Sequence, residues 1–231
     1  TDPWATDFVT RAGLELALVG ALGGVLGVFV VLRGLPYTVE AFAHTVFPGA
    51  VLAAVWGGSI VAGSAAAGLA AAAGIMLAAR SSRTSDETAI GVVFTGMFAL
   101  GVLLASALGP LDRDIASFLF GNVLAVSTED LVVSAIAAAL ILGTILALRR
   151  PLLAGSFDRE SAVGVGRAGI VDGVLLCAIA LGVVVSIRAV GNVLVLALFV
   201  TPAATARLIA RRIATTILGA VGVGVASGIG G

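Results

Sequence analysis

The sequence predicts an all-α, polytopic membrane protein, and three observations predict it. The chain of 231 residues is 60% hydrophobic and 11% charged, where an ordinary soluble domain is about 45–50% apolar and about 25% charged. Nearly uncharged runs recur along it at the length of a bilayer span, roughly 20 residues each. The cations also segregate between alternate connections. One set carries Arg33, Arg80, Arg83, Arg149, Arg150, Arg159, Arg167, Arg207, Arg211 and Arg212, and the other only Arg11, Arg113 and Arg188. That is a positive-inside bias. The same composition excludes several classes. Thirteen acids balance thirteen arginines, leaving no basic face for nucleic acid. The apolar content excludes disorder. A lone Cys177 excludes a disulfide framework and a Cys-based structural zinc site.

Eight spans follow in order. The run 12–32 carries only Glu15, and 35–79 carries only Glu40 and His44 while being long enough for two passes that turn near Gly57 and Gly58. Spans 88–108, 131–148, 168–187 and 190–206 come next, and 213–231 is the last. The arginine bias puts the N-terminus outside and runs the first span inward. The acidic start and long first apolar run do not read as a secretory signal. Residues 1–231 form a single transmembrane domain whose eighth span ends outside, so a further inward helix is expected beyond position 231. Inside the first span, Gly20 with Gly24 and Gly23 with Gly27 make two small-xxx-small faces, which let helix backbones approach closely.

Two connections exceed simple turns. The outer one, 109–130, holds the apolar piece 118–124 between acidic ends and reads as a short external helix in the membrane interface, closed by the cap-like Ser127-Thr128-Glu129-Asp130. The inner one, 149–168, contains Pro151, the charged run Asp158-Arg159-Glu160 and the glycines Gly164 and Gly166. It reads as a cytoplasmic helix followed by a turn, the kind of element through which a soluble partner pushes on a membrane protein.

Glu40 and His44 are the sharpest chemical signal. An ionisable group at bilayer depth costs at least about 2.5–3.5 kcal/mol and marks a functional site by default. Four residues apart, the two lie on one helical face about 6 Å apart along the axis. Arg33 marks the cytoplasmic surface, which puts the pair roughly 10–17 Å above it. Carboxylate oxygen plus imidazole nitrogen suits manganese, zinc or ferrous iron. Pro48 cannot donate to the carbonyl of His44, so that oxygen can face a cavity or an ion. A structural Glu–His hydrogen bond or a proton relay is the competing reading. Two ligands are too few for a closed site, and a symmetric dimer about an axis beside this helix would bring two of each together.

Weaker candidates lie elsewhere. Asp86 and Glu87 precede a span where acids favour the helix dipole, as caps first and metal-exit ligands second. Asp172 is expected beside Arg167, and Glu15 is expected to snorkel outward. Thr201 precedes Pro202, which predicts a kink that could line a path. No G-x-x-x-x-G-K-[ST] motif occurs, so the chain carries no ATPase site of its own, and any power must come from another subunit or from an ion gradient. With the sole histidine in the membrane, no Ser/His/Asp hydrolase set is available.

The runs 29–33 and 40–49 (Glu-Ala-Phe-Ala-His-Thr-Val-Phe-Pro-Gly), 86–91, 118–124 and 194–208 with Thr201-Pro202-Ala203-Ala204 together resemble the membrane permease subunits of manganese/zinc/iron ABC importers, over nearly the whole chain. That resemblance implies an ATP-driven divalent-metal importer of the cell membrane. It would carry Mn2+, with Zn2+ next, and hold no resident cofactor. The implied partners are a second copy of the chain, two cytoplasmic ATP-binding subunits and an extracellular metal-binding solute-binding protein. It implies metal ligation by Glu40 and His44, coupling to the ATPases through Asp158, Arg159, Glu160 and Gly164, and an outer surface at 118–130 facing the binding protein. The family usually has Asp at position 40 and Ser at position 43, where this chain has Glu40 and Ala43. The glutamate reaches one methylene further. Two other transport readings remain open from the residues: a permease for metal chelates such as siderophores or corrinoids, and a gradient-driven metal transporter using Glu40 and His44 as a proton relay.

Overall fold

A computed structural model of the chain describes residues 7–79, 85–108, 121, 127–157 and 168–230. Among the described residues, regular structure is helical throughout. The helices are α1 (Asp7–Leu32), α2 (Pro36–Thr45), α3 (Phe47–Val55), α4 (Ile60–Ala79), α5 (Asp86–Ala107), α6 (Thr128–Ala147), α7 (Arg149–Phe157), α8 (Ala168–Ile209) and α9 (Ile213–Gly230). Seven stretches among the described residues are long and apolar enough to span a bilayer, α2 and α3 together making one of them. The stretch Gly169–Ile209 has 41 residues, about 60 Å of helix and twice what one pass needs. It breaks at Gly191, whose φ of 76° and ψ of 171° lie in a region that is essentially glycine-only. Two passes there give the eight expected spans.

Local chemistry explains the boundaries. At the end of α1, Leu35 N–H donates to Val30 O and Gly34 N–H to Val31 O, with Gly34 at φ 68°. This is a Schellman close, and Pro36 then starts α2. The same pattern ends α3, where Gly58 donates to Ala53 O and Gly57, at φ 68°, to Ala54 O, so the chain turns at the expected glycines. Ser85 caps α5 by accepting from Thr88 N–H at 3.2 Å. Ser127 and Asp130 cap α6 reciprocally: Asp130 N–H donates to Ser127 Oγ at 3.1 Å and Ser127 N–H to Asp130 Oδ2 at 3.2 Å.

The chain divides into two compact units. The first comprises 7–36, 121, 127–147 and 185–230. Here α1 is the hub. A Cβ added at Gly24 would lie 2.7 Å from Ala220 O, and one at Gly20 would overlap Gly224 O, so α1 and α9 touch backbone to backbone. The alternate face of α1, Gly23 and Gly27, meets Leu198 and Phe199 of α8. Val28, Ala203, Ala206 and Ala220 form the buried cluster between these three helices. Polarity agrees with the arginine count. Arg11 donates to Thr128 Oγ1 at 3.0 Å and Arg188 pairs with Asp130, joining residues assigned outside. Arg207 donates to Val31 O at 3.4 Å, joining residues assigned inside.

The second unit comprises 37–79, 85–108, 148–157 and 168–184. Gly49 of α3 meets Gly63 of α4, and Gly68 of α4 faces Val46 and Ala180. Along α5, Val92, Leu100 and Leu103 stay exposed, which a bilayer tolerates because lipid tails are as apolar as leucine.

One expectation changes. Glu15 does not snorkel: it is 1% exposed and hydrogen-bonded to Ser134 of α6, because a neighbouring helix offers a partner that no reading of α1 alone reveals. The break in α8 sits at Gly191, beside the boundary expected between spans 168–187 and 190–206, and Pro202 stands inside the helix that follows. A proline removes one hydrogen bond within a long helix, but a positive-φ glycine redirects the backbone.

Candidate functional site

The ionisable pair stands on α2 in the second unit. Thr38, Val39, Ala41, Phe42, Ala43 and Thr45 of this helix are buried, while Tyr37, Glu40 and His44 keep access along one stripe. The side chains of His44 and Glu40 are 29% and 42% exposed. The pair therefore lies on the open face of its helix, where a partner surface could complete it. Beyond His44, Val46 joins α2 to α3 with helical dihedrals (φ −76°, ψ −16°), and Pro48 stands in the first turn of α3. Thr45 Oγ1 donates back to Phe42 O at 3.2 Å, turning its hydroxyl away from the pair.

His44 Nε2 lies 3.3 Å from Glu40 Oε1. With ligand bonds of about 2.1 Å, two donors on one ion stand about 3.0 Å apart at 90° and about 3.4 Å apart at the tetrahedral angle. The pair already has the bite of one cation, so replacing the shared proton by a metal needs little side-chain movement. Hard oxygen with imidazole and no thiolate fits manganese, zinc or ferrous iron alike. No group of three or more His, Cys, Asp or Glu side chains gathers among the described residues.

Asp86 and Glu87 form no three-residue metal group with this pair. Asp86 and Glu87 are exposed in the first turn of α5, behind the Ser85 cap, where the helix dipole favours them. Thr201 is exposed on α8 and belongs to the first unit. Asp158, Arg159, Glu160 and Gly164 lie outside the described residues, as do most of 118–130 and Arg167, the expected partner of Asp172.

Sequence reasoning missed the aromatic residues around the imidazole. Phe94 and Phe98 of α5 approach His44 with ring centroids 5.5 Å and 5.6 Å away. Their spacing of four residues, one helical face, is the signal that could have found them.

Comparison with known proteins adds the family. A model of the "ABC 3 transport family" matches residues 5–231. The chain is 37% identical over 226 residues to the manganese transport system membrane protein MntC of Halalkalibacterium halodurans, covering 97% of this chain and 77% of that one. The MntC protein of Listeria innocua is 35% identical over 223 residues, with 96% and 79% covered. Among solved structures, PsaBC from Streptococcus pneumoniae in complex with Fab superposes with a TM-score of 0.83 at 31% identity, covering 96% of this chain and 80% of that chain. With multiple apolar spans and relatives that are membrane proteins of transport systems, this is a multi-pass protein of the cell membrane, and it belongs to the ABC 3 transport family.

Proposed function

We propose that the chain is the translocation subunit of an ATP-driven divalent-metal importer that passes manganese, with zinc the next candidate, through a site built on Glu40 and His44. The observation that carries this reading is the 3.3 Å between His44 Nε2 and Glu40 Oε1, the bite of a single ion, on a half-open helical face in the membrane. Two copies of the chain would meet along this face and supply an O2N2 set at the symmetry axis. Two cytoplasmic ATP-binding subunits would drive opening and closing through the connection that holds Asp158, Arg159, Glu160 and Gly164. A solute-binding protein outside would deliver the ion near 118–130. The naming of relatives as manganese transport membrane proteins supports the metal; Asp86 and Glu87 would serve as a secondary stop towards the cytoplasm, with Thr201 a further polar group for the path.

Counting metal on the purified, assembled transporter tests the site. The wild type should hold manganese in sub-stoichiometric ratio to chain, near one ion per two copies, and His44→Ala should hold none above background. Equal manganese in both would remove the site.

A further inference from the structure

The imidazole of His44 is held from the side by α5. Phe94 meets it at 5.5 Å with ring planes 46° apart, and Phe98 at 5.6 Å and 81°, close to edge-on. The two phenyl rings stand 6.4 Å from each other, and Phe47 lies 6.3 Å from Phe98. Gly101 continues the same face of α5. A Cβ added there would lie 2.6 Å from the Phe47 ring and 3.1 Å from Pro48. One stripe of α5 thus grips the chain from His44 to Pro48, and all of it belongs to one compact unit.

The consequence concerns which atom of the imidazole meets the carboxylate. The last side-chain torsion of a histidine is broad and roughly two-fold, and turning it over would replace Nε2 by a carbon in front of Glu40. Edge-to-face aromatic contacts are directional, and phenyl rings offer neither a hydrogen-bond partner nor a ligand that would reward the turned ring. Resting on the ion-site reading above, we propose that Phe94 and Phe98 are positioning residues of that site: they fix the His44 ring so that Nε2 and the Glu40 carboxylate share one ion, without touching the ion themselves. Groups around a metal ligand that fix its orientation change affinity by about 10–100-fold when removed.

The chain has a single histidine, so 15N-histidine labelling of this subunit in the assembled, metal-free transporter gives a single imidazole signature. The wild type should show one tautomer, protonated on Nε2 towards Glu40. Phe94→Leu with Phe98→Leu should mix the tautomers and weaken Mn2+ binding, measured by equilibrium dialysis, at least about tenfold. Phe98→Tyr, which keeps the ring, should behave as wild type in both readouts. Should the double variant not assemble, Phe98→Leu decides alone, since Phe98 is 42% exposed and its loss disturbs packing least. Wild-type tautomer and affinity in the leucine variants, beside lost binding in His44→Ala, would overturn the positioning role and leave the ion site standing. Full Mn2+ binding in His44→Ala would overturn both.

Discussion

At the scale of single residues, the charge and the reach of Glu40 can be separated. Glu40→Gln keeps the volume and one oxygen but removes the charge. A charged hydrogen-bond or ligand contact is worth about 1.5–3 kcal/mol, so Mn2+ affinity of the assembled transporter should fall by at least about tenfold. Glu40→Asp keeps the charge and withdraws the carboxylate by roughly one C–C bond, about 1.5 Å; side-chain adjustment on the half-open face should hold its affinity between those of Glu and Gln. Dialysis against Mn2+ ranks the three, and equal binding by Glu and Gln would show that the carboxylate does not ligate. The pair was legible in the sequence because charge within an apolar run is conspicuous whatever surrounds it. Phe94 and Phe98 were not, because phenylalanine in a membrane helix looks the same against lipid as against an imidazole. Glu15 was misread for a related reason: its partner Ser134 is 119 positions away in sequence, and only tertiary packing brings it near.

At the scale of helices, the closest contacts are backbone contacts through glycine. On α1, a Cβ at Gly24 would stand 2.7 Å from Ala220 O and 2.8 Å from Val221 N, both backbone atoms that cannot swing aside. Gly24→Val should therefore cost about 1–3 kcal/mol, as overpacking does, and lower the thermal midpoint of the purified protein. Gly222→Ala is the control, for nothing lies within 4 Å of a Cβ there and alanine is the better helix former. A midpoint in Gly24→Val equal to wild type would mean that α1 and α9 do not pack as described. The two small-residue faces on α1 could be read from spacing alone, although their partners could not. The eight spans were equally legible, since hydropathy and length set them. The break in α8 shows both sides: the boundary expected between spans 168–187 and 190–206 falls at Gly191, but the residue that makes it could not be named, because a glycine's φ is chosen by its surroundings rather than by its own side chain.

For the whole molecule, the question is what drives the ion. An inside-negative potential already pulls a dication inward, with about 2.3 kcal/mol per charge for each 100 mV. Two charges give about 4.6 kcal/mol, enough for roughly a thousandfold accumulation without any ATP. Inward transport of manganese is thus no proof of ATP coupling, and a Glu–His pair at bilayer depth would also serve a proton relay. In the ATP-driven reading proposed above, the energy reaches Glu40 and His44 through a partner subunit. The discriminating measurement is manganese uptake by the assembled transporter in vesicles with the potential and the pH gradient collapsed by ionophores. Uptake should continue as long as ATP is supplied, and should stop when the catalytic carboxylate of the ATP-binding subunit is replaced. Uptake that survives that replacement but vanishes with the ionophores would instead make this chain a gradient-driven carrier. The geometry of the pair would stand unchanged, and its role would shift from a waypoint for metal to a carrier of protons.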